Sequence, residues 1–250
     1  FIIEKGYANG SSAKDEGGGL YLEYASPVIL NCHFKNHYAS YKGGAVFGHN
    51  NSDGWFGNVA FSGNSASVDG GAVVAISSAM EFYNCVWYGN HSGNWGGAID
   101  GSSVKVYNSI AWNNSAYYGA DNFSGSEISY SIYEGGSSDD HNISSEPQFV
   151  DPKNGDFRIR KESPAINAGN TEFLPDWLLT DFSGNARIQN DTIDIGVFEG
   201  GVETPIVVAP VEKASLVSNN SGVTLNWKWK NEYPENIGSY RLEYAINGAD

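Results

Sequence analysis

Cysteine is nearly absent from this sequence. Cys32 and Cys85 are the only two, too few to staple a fold, so a disulfide scaffold is excluded and the redox compartment goes unread. Basic residues are also scarce. Lys and Arg number 14 against 29 Asp and Glu, and the formal charge of -15 repels phosphates and anionic lipid heads, which makes nucleic acid a poor partner. Long apolar runs are missing: no stretch of about 18 residues could cross a bilayer as a helix. There is no helical 3.6-residue period and no tight two-residue hairpin joining the apolar segments. Phe1 opens a strand-like stretch with no initiator Met or signal-peptide pattern, so any export signal is expected upstream or already removed.

What is present is turn-forming and aromatic. The 31 glycines and 14% aromatic residues, with only 17% charged, describe an all-β extracellular type of chain with packed rings. Gly-Gly pairs begin at Gly17, Gly43, Gly70 and Gly96, and Asn31, Asn58, Asn84 and Asn108 recur in step with them. Such a period marks a repeat architecture. Three places after each first Gly stand Leu20, Val46, Val73 and Ile99, an aliphatic column. Around each Asn, positions -2, +1 and +3 are mostly apolar: Phe56, Val59 and Phe61 in one repeat, Phe82, Cys85 and Trp87 in the next. A straight strand alternates faces with period 2 and cannot put all three inside, so the chain must bend at the Asn. Asn tolerates the left-handed conformation that such a bend needs, and stacked Asn amides can bond from coil to coil.

Strands repeating at this interval without hairpins predict an all-β solenoid, a right-handed parallel β-helix with coils about 4.8 Å apart. Cys32 and Cys85 then lie two coils apart with Val59 between them, too far for a disulfide, and are expected as free core thiols. The β-helix is expected over residues 1–200, with coils to about 146 and a closing block over 147–200, followed by a linker at 201–204.

The phrases Gly43-Gly-Ala-Val, Phe61-Ser-Gly-Asn, Gly70-Gly-Ala-Val and Gly96-Gly-Ala-Ile resemble the paired repeats of polymorphic outer-membrane proteins and related bacterial surface β-helices. Residues 108–199 resemble the end of the choice-of-anchor Q domain. The matching words are Asn108-Ser-Ile-Ala-Trp-Asn-Asn, Pro147-Gln-Phe-Val-Asp-Pro-Lys-Asn-Gly-Asp-Phe-Arg-Ile, Ser163-Pro-Ala-Ile-Asn-Ala-Gly-Asn, Asp181-Phe-Ser-Gly-Asn-Ala-Arg and Asp194-Ile-Gly-Val-Phe-Glu. Asn167 and Asn170 stand where that family usually has Asp, which weakens carboxylate or metal chemistry there. The resemblance implies a secreted or cell-surface bacterial protein, often exported by a type IX route. Residues 205–250, with Val223-Thr-Leu-Asn-Trp-Lys-Trp and Tyr240-Arg-Leu-Glu-Tyr, resemble the opening strands of a fibronectin type III module. About 100 residues make such a sandwich, so a partial β-sandwich is expected at the C-terminus.

Candidate chemistry is sparse. Asp53, Asp69 and Asp100 fall at different offsets from the first Gly, which predicts no shared carboxylate ladder, and Lys105 has no matching partner. Glu16, Lys42 and Asp69 share the column before the Gly pair and predict an exposed ladder of alternating sign. The five histidines show no zinc spacing, and His37, at the place of Asn64 and Asn90, reads as a turn residue. Asp139 and Asp140 with Glu134 are the candidates for Ca²⁺ in a loop; no other cofactor and no catalytic residue is assigned. Arg187 with Asp181, Asp194 and Glu199 predicts ion pairs that fasten the closing block over the last coil. Outside the core columns, Tyr38, Tyr41, Trp55, Tyr88, Trp95, Trp112, Tyr117 and Tyr118 are rings that either pack on neighbouring coils or bind sugars and partner proteins.

The expected function is therefore a non-catalytic, adhesin-like stalk or binding module, extracellular or on the cell surface, with cell-surface glycans, proteins or secretion machinery as partners. The alternatives are a polysaccharide lyase or glycoside hydrolase of the β-helix class, and cargo captured with a secretion apparatus.

Overall fold

The computed structural model describes residues 1–10 and 15–203; the fibronectin-like segment lies outside them. A compact unit spans Phe1–Val202. Each of the first five coils contributes four short strands, as in Val46–His49, Trp55–Gly57, Ala60–Ser62 and Ser65–Ala66, and the last contributes Ile132–Tyr133. Like strands of successive coils pair in parallel and in register, giving four ladders. We number them from the chain start. The first holds Ile2–Glu4, His33–Lys35, Ala60–Ser62, Val86–Tyr88, Ile110–Trp112 and Ile132–Tyr133. The second, third and fourth contain Ser65–Ala66, Val73–Ile76 and Glu81–Tyr83 respectively, with five strands each. The coils thus form a parallel β-helix.

The inward columns are those the repeat predicts. Phe34 stacks on Phe61 at 5.4 Å and Phe61 on Trp87 at 5.5 Å, while Phe56 stacks on Phe82 at 4.7 Å. In-register pairing brings like rings to one another, and offset stacking adds to the burial of their area. Cys32 and Cys85 are free and buried, and burial pushes the Cys85 thiol up to about 12.

Asn31, Asn58, Asn84 and Asn108 all adopt φ between 49° and 52°, so the bend at this column is the left-handed one. Their amides, however, bond from coil to coil only once, Asn58 Nδ2 to Asn31 Oδ1 at 3.0 Å. Asn84 and Asn108 instead donate to carbonyls of Asp194 and Asn170 in the closing block.

The continuous amide ladder lies at the next bend. There Asn36, Gly63, Gly89 and Asn113 take positive φ, and the residue after each turns inward. Asn64 Nδ2 donates to Asn90 Oδ1 at 2.9 Å, Asn90 Nδ2 to Asn114 Oδ1 at 2.8 Å, and Asn114 Nδ2 to Asn122 Oδ1 at 2.9 Å. Each Oδ1 also accepts a backbone N–H from the preceding coil: His37 on Asn64, Asn64 on Asn90 and Asn90 on Asn114.

His37 extends this pattern with a ring. Its Nδ1 accepts Gly6 N–H at 2.9 Å and its Nε2 lies 2.9 Å from Ile3 O, matching the two bonds that an Asn Oδ1 and Nδ2 make one coil on. Because Gly6 N–H can only donate, the ring must be neutral and carry its proton on Nε2. Burial lowers the His37 pKa, and burial also lowers that of His33 to about 4. Stability from both rings is complete above the unfolded pKa of about 6.5 and is lost as pH falls below it. His37→Asn keeps both bonds. Thermal melts at pH 7 and pH 5 are expected to show a smaller acid loss for His37→Asn than for the parent, and equal losses would contradict this role.

The closing block departs from expectation. It lies along the outer face of the first ladder rather than over the last coil, because that face is itself apolar. Ala60, Val86, Ile110 and Ile132 point outward there, yet are buried beneath Phe149, Phe157, Ile159, Ala165, Ile195 and Val197. Leaving such a contiguous patch in water is unfavourable by roughly 25 cal/mol per Å². The edge of the last coil is paired instead by Ile143, which bridges Ile132, and by Asn142 Oδ1, which accepts Ser131 N–H.

Candidate functional site

Between the second and third ladders the chain turns through the Gly-Gly pairs, and each turn stacks on the next. Backbone bonds run from Val68 N–H to Tyr41 O, Asn94 N–H to Val68 O and Tyr118 N–H to Asn94 O, so these four residues form one column. Lys42, Asp69 and Trp95 form the neighbouring one, through Gly43 N–H to Asp69 O and Gly70 N–H to Trp95 O. Gly70 sits at φ 62°, and a Cβ on it would lie 2.2 Å from Val74 Cγ2. Only glycine lets the turn fold back onto the outer face of the third ladder at this distance.

Four rings stand out from this corner: Tyr41, Trp95, Tyr117 and Tyr118 are 43%, 50%, 72% and 68% exposed. The Trp95 ring lies over Gly119, where a Cβ would come within 1.9 Å of it, and Tyr117 meets Tyr118 edge to face at 4.5 Å. The other rings singled out by sequence divide differently. Tyr38 stacks on Tyr7, Tyr88 and Trp112 pack against the closing block, and Trp55 stands exposed on the fourth ladder.

Beneath the corner lies the rung of opposite charges that the shared column predicts between Lys42 and Asp69, with Asp100 nearby, which the offsets did not predict. Lys42 Nζ and Asp69 Oδ2 are 2.9 Å apart with side chains only 19% and 12% exposed, so this pair is not the exposed rung expected. Asp69 Oδ1 is buried with no hydrogen-bond partner. Asp100 joins them. Burial raises its pKa, a Ser124 hydrogen bond opposes this, and the nearby charges of Asp69 and Lys42 act in opposite senses. Gly70 folds back on Val74, the register partner of Asp100, and so brings Asp69 into the electrostatic reach of Asp100, which the count along a straight strand ignores. Asp53 lies apart, its Oδ1 accepting Ala79 N–H, and Lys105 sits in register between Glu81 and Glu127.

The second polar cluster is the one expected in the closing block. Arg187 is fully buried; its Nη1 donates to Glu199 Oε1 at 2.7 Å and Gly196 O at 3.1 Å, and its Nη2 to Val197 O and Asn58 Oδ1. Asp181 Oδ1 accepts Ser183 and Asn185 N–H, and its Oδ2 accepts Glu199 N–H. Asp194 accepts Asn167 and Gly200 N–H. Burial pushes Glu199 up to about 7, against the pull of Arg187. Of the three expected ion pairs only Arg187 with Glu199 forms, while Asp181 and Asp194 are held chiefly by backbone N–H donors, which makes this a fastening rather than a reactive centre.

The Ca²⁺ candidates are not assembled. Glu134 accepts Asn113 N–H, while Asp139 and Asp140 lie exposed in the turn Asp139–His141. Among the described residues no three His, Cys, Asp or Glu gather as metal ligands, and no helix is long and apolar enough to cross a membrane. Compared with known protein families, curated proteins and solved structures, the chain matches none. Fold and site together define a parallel β-helix with a laterally docked closing block and a ring-bearing corner.

Proposed function

We propose that this chain is the stiff binding body of an exported or surface-exposed protein, adhesin-like and non-catalytic, which holds glycans at the corner formed by Tyr41, Trp95, Tyr117 and Tyr118. The observation that carries this reading is the row of exposed rings on a rigid ladder of turns. Flat rings stack on the C–H faces of sugars and cluster where partners are anchored. With coils about 4.8 Å apart, Tyr41 and Tyr118 stand three coils apart on one column and Trp95 on the column beside it, an open spread rather than a pocket, which suits an extended chain of sugars. Export is supported by the acidic composition and by the resemblance of residues 108–199 to a module of secreted bacterial proteins.

The test is to incubate the full chain with pectate, alginate and neutral glycans, measuring both retention and release of unsaturated products or reducing ends. Retention without turnover is expected, and the double variant Trp95→Ala with Tyr118→Ala is expected to weaken it at least about tenfold. Undiminished retention in that variant removes the corner from the binding surface. Turnover that disappears in Asp100→Ala or Lys105→Ala replaces this reading with a polysaccharide-cleaving enzyme.

A further inference from the structure

We propose that Lys42 and Asp69 join through an amide bond between Nζ and Cγ, a covalent rung between two successive coils formed with the assistance of Asp100. The amine and the carboxyl are already in contact, 2.9 Å apart, and both side chains are largely withdrawn from water. Each is fixed by a glycine turn that stacks on its neighbour, so little motion separates Nζ from the carbonyl carbon. Beneath them the outward column of the third ladder is apolar and covered, with Phe47 at 2% and Val74 at 0% exposure.

The buried, unpartnered Asp69 Oδ1 supplies an independent pointer. As a carboxylate oxygen without a donor it is costly, whereas as the oxygen of an amide it needs one donor only. Asp100 stands in register with Val74, the residue on which Gly70 folds back, and lies in the electrostatic reach of both Lys42 and Asp69, so in its protonated form it is the acid at hand for the step.

The step balances without any further reagent. The bond from Lys42 Nζ to Asp69 Cγ forms and the bond from Cγ to Oδ2 breaks. The ammonium and carboxylate together become an amide and one water. Asp100 gives its proton to the departing Oδ2 and receives one from Nζ, ending as it began. Lys42 is the one amine in its column, between Glu16 and Asp69. Burial disfavours its charge, but the hydrogen bond and charge of Asp69 outweigh this and keep the ammonium form, so proton transfer comes first and the joining is slow.

This proposal is independent of what the corner binds. The intact mass of the full chain, measured after denaturation, is expected to be one water below the sequence mass, with a proteolytic fragment in which the peptides of Lys42 and Asp69 are joined. Lys42→Arg and Asp69→Ala are expected at full sequence mass. Asp100→Asn is expected to contain a larger full-mass fraction than the parent at equal age, with circular dichroism confirming that it is folded. A parent that stays at full mass on prolonged incubation overturns the bond and leaves an ion pair. Asp100→Asn joined as completely as the parent overturns the assisting role of Asp100.

Discussion

Arg187→Met is expected to destabilise the described unit by about 3–5 kcal/mol near pH 8, a large part of the stability of a typical domain. The methionine fills much of the volume but strands Glu199 without its cation. It also removes donors from Asn58 Oδ1 and from the carbonyls of Gly196 and Val197. The loss should shrink as pH falls, which sets it apart from a packing defect. Glu199 already sits near 7 in the presence of the guanidinium, and without it the carboxyl is held higher still. The folded variant then binds a proton that the unfolded chain, with an ordinary Glu near 4.3, does not bind until the pH is lower. Urea unfolding at pH 8 and pH 5.5 measures both parts. A cost below about 1 kcal/mol at pH 8, or one that does not diminish at pH 5.5, would show that the cluster is peripheral.

Asn90→Ala is expected to cost about 3 kcal/mol or more, from the middle of the buried amide ladder. Asn90 Oδ1 accepts from both Asn64 N and Asn64 Nδ2, and its Nδ2 donates to Phe61 O and Asn114 Oδ1. Truncation therefore unmakes four bonds and leaves the Asn64 N–H buried beside an apolar column, where an unmet donor is most expensive. His37→Asn in the same ladder is the control, since it preserves the bonding pattern and should change stability little at pH 7. Comparable losses in the two variants would mean that the ladder is not a source of specificity, and a loss below about 1 kcal/mol in Asn90→Ala would mean that water replaces the amide.

The stacked columns were legible in the sequence for a physical reason: in a parallel in-register ladder each side chain sits on its own counterpart, so packing demands appear as repetition. Phe34, Phe61 and Trp87 announce themselves in this way. The lateral position of the closing block did not, because residues 147–200 do not repeat and their partners lie far away in sequence. One signal was present. The position two after each Asn reads His33, Ala60, Val86 and Ile110, and two after Tyr130, at the same place in the next coil, comes Ile132, increasingly apolar where a solvated face should be polar, and burial under a second layer explains it. The amide ladder was half visible, since His37 was placed with Asn64 and Asn90, but that it outranks the ladder at Asn31 depends on which amides the closing block captures. The proximity of Asp69 to Asp100 does not show in offsets compared along an ideal strand, because the left-handed Gly70 folds back on Val73 and Val74 of its own coil, and Val74 is in register with Asp100. Of the rings, sequence could name those outside the core but not which of them Tyr7 or the closing block would cover.

The bond between Arg187 and Asn58 spans 129 positions of chain. Coils near the N-terminus can stack as soon as they exist, each needing only its immediate neighbour, but the greasy flank of the first ladder has no cover until residues 149–197 arrive. A chain delivered N-terminus first, from a ribosome or through a pore, therefore passes through a stage in which it is coiled but unlatched. Closing the described unit then brings a latch made later in synthesis onto a keeper made well before it.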